Sequence, residues 1–108
     1  MELEDEAYEN NELEKLRILT DIHIQKAKSE GNPLEMASGY YYRTIIEESD
    51  LAITYSDSII LATVDSDHSK YPTFGYILKA IIYFDLGDYE TSMHNYLTAY
   101  NLAVEKKN

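Results

Sequence analysis

The sequence predicts an all-α chain, and three observations carry that expectation. Apolar residues recur at steps of three and four, as in Leu13, Leu16, Leu19, Ile22 and Ala27, which places them on one helical face. Stop and cap residues follow at helix-length intervals, at Gly31-Asn32-Pro33, Asp50, Pro72 and Gly87-Asp88. No segment shows the strict alternation of a half-buried strand.

About five helices follow. The first periodic run predicts a helix over 12–30, ended by Gly31. Asn32-Pro33-Leu34-Glu35 then offers an N-cap, a proline at the first helical position and a glutamate able to reach back to the free backbone amide, so a second helix is expected over 33–48. Asp50 is the expected cap of a third over 51–64, and Pro72 opens a fourth over 72–86. Gly87 suits the left-handed conformation of a tight reversal, and Asp88 can cap a fifth helix over 89–105. Residues 1–11 precede this set as an acidic, flexible segment, which leaves 12–108 as one helical domain.

Composition narrows the function classes. The net charge is −11, and Glu2, Glu4, Asp5, Glu6, Glu9, Glu12 and Glu14 all come before the first base, Lys15. Acidic surfaces repel phosphate, so direct binding of nucleic acid or of an anionic membrane is not expected. Without cysteine there is neither a disulfide nor a thiolate metal site. No apolar run reaches the roughly 20 residues of a membrane span, and Met1-Glu2-Leu3-Glu4-Asp5 lacks the basic and hydrophobic regions of a secretion signal, so a cytoplasmic setting is the default expectation. Eleven tyrosines, three of them consecutive at Tyr40-Tyr41-Tyr42, suit helix crossings where a ring is covered and its hydroxyl stays near water. Successive helical positions turn by about 100°, so these three rings cannot share one direction.

Chemistry-bearing patterns are weak. Asp65-Ser66-Asp67-His68-Ser69 begins like a calcium loop, but Lys70 stands where the turn needs glycine and Tyr76 where a closing glutamate belongs. His23, His68 and His94 fall on different elements with no second ligand at helical metal spacing. Neither a Gly-x-Ser-x-Gly elbow nor a glycine-rich phosphate loop occurs, and adjacent Glu47 and Glu48 diverge rather than share a proton. Catalytic residues, cofactors and metals are therefore not expected.

The stretch from Tyr76 to Ala99 is the most specific. It sets Tyr76, Ala80, Tyr83, Gly87-Asp88-Tyr89, Ser92, Tyr96 and Ala99 at the spacing of two antiparallel helices interlocked through small residues. Ala80 and Ala99 should lie where the helices cross, with Tyr83 and Tyr96 beside them. The run resembles the tetratricopeptide (TPR) repeat over about Thr73 to Val104, with Lys79 departing from the usual large aliphatic and Ser92 from the usual alanine. Shifting the chain by 41 positions aligns Gly39, Tyr42 and Tyr55 with Ala80, Tyr83 and Tyr96, a second and degenerate copy over about 33–64. A further shift of 35 brings Ala27 under Ala62, so the first helix reads as half of an earlier unit.

The resemblance implies a right-handed α-solenoid of stacked helix hairpins whose first helices line a concave groove. Carried over by position, that groove would contain Phe74, Ile77, Ile81 and Phe84 from the better copy and Met36, Tyr40 and Arg43 from the poorer one. Such an apolar groove with one cation would hold a peptide or partner domain through hydrophobic anchors. Two function classes follow: a protein-interaction scaffold, cut from a longer protein, or a sensory or dimerisation segment of a bacterial signalling or transcriptional regulator whose output domain lies outside this sequence. Self-association through the last helix is expected if nothing else covers its apolar side.

Overall fold

The computed structural model describes residues 2–10, 12–65 and 70–107, and among these it is all-helical, with six helices. They are α1 (Glu2–Glu9), α2 (Leu13–Ser29), α3 (Pro33–Ile46), α4 (Ser49–Thr63), α5 (Thr73–Asp85) and α6 (Tyr89–Lys107). Five match the expected elements to within a few residues, and α1 is the addition. The acidic segment expected to be flexible is a helix over most of its length, with Ala7 and Glu4 buried. Each helix packs mainly on its neighbours in the chain, α1 on α2 through to α5 on α6. The result is a slab of 36 × 33 × 19 Å.

Local chemistry sets the helix ends. Gly31 and Gly87 hold φ of 62° and 84°, where a side chain would be strained, and each closes a helix. Asn32 caps α3 by accepting the Glu35 amide at 3.2 Å, and Asp88 caps α6 by accepting the Thr91 amide at 3.2 Å. Two expected caps differ. Glu48, not Asp50, is the N-cap residue of α4, because the helix begins two residues earlier and puts Asp50 inside its first turn, where a carboxylate still favours the helix dipole. Glu35 does not reach back to its own helix, because its carboxylate is taken by His23 at 2.8 Å.

Small residues make the crossings. A Cβ on Gly39 would lie 2.6 Å from Ile24 Cγ1, and one on Gly75 would lie 2.6 Å from Ile60 Cγ1, so α2–α3 and α4–α5 approach too closely there for an alanine without displacement. Ala80 and Ala99 are buried between α5 and α6, and the buried Ser92 hydroxyl donates to the Ala80 carbonyl at 2.7 Å. Serine in place of alanine thus ties the two helices together. Within α4, Ser56 and Thr63 are fully buried and donate to the carbonyls of Ala52 and Ile59, which satisfies hydroxyls that would otherwise be costly.

The tyrosine triplet fans out as the helical turn requires. Tyr40 packs against Tyr55 of α4 at 6.1 Å between ring centroids, Tyr41 against Phe74 of α5 at 5.4 Å, and the Tyr42 hydroxyl donates to Asp5 of α1. Three adjacent residues therefore join α3 to three other helices. Burial and the Asp5 carboxylate both push the Tyr42 phenol far above its usual range, so it remains a donor.

Candidate functional site

The seven positions expected to line a groove do not form one surface. On α3, Met36 and Tyr40 are half-buried and Arg43 is buried. Arg43 faces α2 instead of a groove: its Nη1 donates to Asp21 at 2.6 Å, its Nη2 lies 3.6 Å from Glu47, and its guanidinium sits 5.1 Å from the Tyr55 ring centroid. The rigid planar fork favours such a multiply bonded position. On α5, Phe74 packs against Tyr41 and Tyr71 beside the core, Ile77 is half-buried, and Ile81 is partly exposed. Phe84 is exposed and leans on Tyr89 of α6 at 5.1 Å.

A cleft of about 300 Å³ does open between α3, α4 and α5. Its apolar wall is Ile45, Leu78, Ile81 and Ile82, and its polar edge includes Thr44, Glu47 and Asp85. Of the seven expected residues it contains only Ile81. Position-by-position transfer misses Ile45, two residues past Arg43, and Ile82, next to Ile81, and the apolar pairs Ile45-Ile46 and Ile81-Ile82 are the signal in the sequence.

Next to this cleft runs a chain of charges. Glu47 accepts from Arg17 Nε at 2.8 Å, and Arg17 also donates to Glu14 at 2.8 Å, so Glu14, Arg17, Glu47, Arg43 and Asp21 link α2 to α3. Both carboxylates hold the Arg17 guanidinium protonated more firmly than usual. A wide hollow of about 860 Å³ lies against this network, lined by Glu14, Arg17, Ile46, Glu47, Glu48, Ser49, Asp50 and Leu51. Arg17 is shared between Glu14 and Glu47, and with Glu48 and Asp50 added the lining carries four acids against one base.

His23 is the second site that composition alone did not indicate. Its Nδ1 meets Glu4 of α1 at 2.9 Å and its Nε2 meets Glu35 of α3 at 2.8 Å, so one imidazole ties three helices together. Burial raises the Glu4 carboxyl above its ordinary value, opposed by His23, and Glu4 Oε2 has no partner. A neutral imidazole has one N–H, so satisfying both contacts needs a further proton, on the ring or on a carboxyl. No group of three or more ligand-type side chains among the described residues is placed to hold a metal ion. The calcium-like stretch lies largely outside the described residues, because 66–69 are not described.

The positions expected to be structural fall as follows. Gly39, Ala80, Ser92 and Ala99 are buried; Tyr42, Tyr55, Tyr76 and Tyr83 are half-buried; Gly87 turns the chain. Tyr96, expected to fill space beside the crossing, is instead 41% exposed. No helix among the described residues is long and apolar enough to cross a membrane. Comparison with protein-family models, curated proteins and solved structures finds no match to this chain. The tetratricopeptide resemblance therefore rests on its own residues.

Proposed function

We propose that this chain is a non-catalytic protein-interaction scaffold, a right-handed array of tetratricopeptide-like helix hairpins that takes a peptide or partner segment in the cleft between α3 and α5. The observation that supports it is the cleft's makeup: four aliphatic side chains beside the exposed carboxylate of Asp85. Apolar walls reward a hydrophobic anchor, and the acidic edge selects a neighbouring Lys or Arg on the partner. The preferred ligand is accordingly a short amphipathic peptide with an aliphatic or aromatic anchor and an adjacent base.

Selection from a displayed random-peptide library against the 108-residue chain tests this reading. Enriched peptides should carry an anchor next to a base, and Ile81→Glu should weaken them at least roughly tenfold without lowering the melting temperature, since a hot-spot side chain at a pocket commonly contributes more than 1 kcal/mol. Enriched peptides that ignore both Ile81→Glu and Ile45→Glu would remove the cleft from consideration. The second reading, a dimerisation segment of a signalling or transcriptional regulator, draws its support from a different surface, the outer side of α6.

A further inference from the structure

We propose that the outward face of α6 is a two-fold interface at which a second copy of this chain packs its own α6 antiparallel. Ser92, Asn95 and Ala99 face inward and are buried. The other side carries Tyr89, Met93, Tyr96, Leu97, Tyr100 and Val104, each between 41% and 66% exposed. These six make one continuous stripe about 22 Å long at 1.5 Å per residue. Surface helices ordinarily turn charged residues to water. Here the stretch from Thr91 to Val104 contains no Asp, Glu, Lys or Arg, in a chain that is 27% charged.

Charge and spacing both select a second copy as the occupant. With a net charge of −11, two copies meeting elsewhere set carboxylates against carboxylates, whereas this is the longest uncharged run in the sequence. The stripe's steps along the helix are four, three, one, three and four, which read the same in either direction. An isologous interface requires such self-complementarity. With the axis passing between Tyr96 and Leu97, Met93 meets the second copy's Tyr100, and Tyr89 meets its Val104. Antiparallel helix dipoles also attract one another. The cleft between α3 and α5 takes no part, so this proposal stands or falls separately from peptide binding there.

Sedimentation equilibrium of the full 108-residue chain over micromolar concentrations is the first test, with a concentration-dependent dimer expected. Leu97→Glu should weaken it roughly 100-fold, because each dimer carries two such charges beside the axis in the desolvated centre. Its circular-dichroism melt should match the parent, Leu97 being exposed. The absence of cysteine permits a second test of the register. A mixture of Met93→Cys and Tyr100→Cys chains should form disulfide dimers faster than either variant alone. A monomer at every concentration, a dimer indifferent to Leu97→Glu, or faster bonding between like positions would overturn the proposal.

Discussion

The crossings of α2 with α3 and of α5 with α6 bring helices together by different physics. At the first, Gly39 admits Ile24, and around that contact charged side chains close the seam: Arg17 and Arg43 on Glu47, Arg43 on Asp21, and His23 on Glu35. At the second, Ala80, Ser92 and Ala99 are small and buried, Ser92 donates to the Ala80 carbonyl across the seam, and no ion pair joins α5 to α6 among the described side chains. The charged seam depends on keeping its charges paired, even though Arg43 Nε has no partner, because a buried charge left alone costs far more than a missing contact. The neutral seam depends on volume, because packed interiors have no room for added atoms.

The largest expected effect therefore comes from adding volume and charge together at the neutral seam. Ala99→Arg should destabilise the chain by about 4 kcal/mol or more, the combined penalty of overpacking and of burying an unpaired charge. A melt or urea titration that leaves the midpoint unchanged would mean that Ala99 is not between α5 and α6. Next comes the charged seam. Arg43→Met keeps much of the volume but strips Glu47 and Asp21 of a partner, and should cost about 2–3 kcal/mol. Adding Glu47→Gln should recover part of that loss in a double-mutant cycle, since it removes the orphaned carboxylate. Strict additivity of the pair would show that the seam is not a network.

The same contrast explains how much was legible in the amino-acid order. The neutral seam is written locally: Gly87-Asp88 marks the turn, Ala80, Ser92 and Ala99 recur at helical intervals, and both helices follow from them. The charged seam joins residues 30 positions apart, as Arg17 and Glu47 are, and periodicity carries no information on which base meets which acid. That is why the sequence pattern places Arg43 in a groove while it faces α2. It is also why periodicity does not mark α1, since its docking rests on Glu4 finding His23 and Asp5 finding Tyr42, at separations of 19 and 37. The cleft failed for a third reason. Transfer by position fixes a stripe to within one residue at best, and one residue turns a helical side chain by about 100°.

A smaller effect sharpens the charged side. Glu4 is buried against His23 on α2, beside Asp5 on its own helix, and Glu35 of α3 holds the other side of that ring. Its folded carboxyl is raised above the ordinary value of 4.5, so the stability it contributes is complete below that pH and is lost as pH rises through the raised value. Glu4→Gln mimics the protonated group and keeps an acceptor for Nδ1. The variant should match the parent near pH 4 and exceed it by up to about 1 kcal/mol at pH 7. A variant less stable than the parent at pH 7 would instead mean that the ionised pair with His23 outweighs the burial of the carboxylate.

The smallest expected effect lies where a charge intrudes on the neutral half. Lys79 occupies a position at which the resemblance calls for a large aliphatic residue, and its Nζ reaches Asp57 of α4 at 2.9 Å. The Asp57 side chain is 48% exposed, so water and salt screen the pair and its contribution should be small. The Lys79 stem is meanwhile largely covered, at 20% exposure, which lets four methylenes do what an aliphatic side chain would do. Lys79→Leu should accordingly change stability by no more than about 0.5 kcal/mol in either direction, at low and at high salt alike. A loss above about 2 kcal/mol that disappears in 1 M salt would place α4–α5 with the charged seam, and would confine neutral packing to the single crossing of α5 with α6.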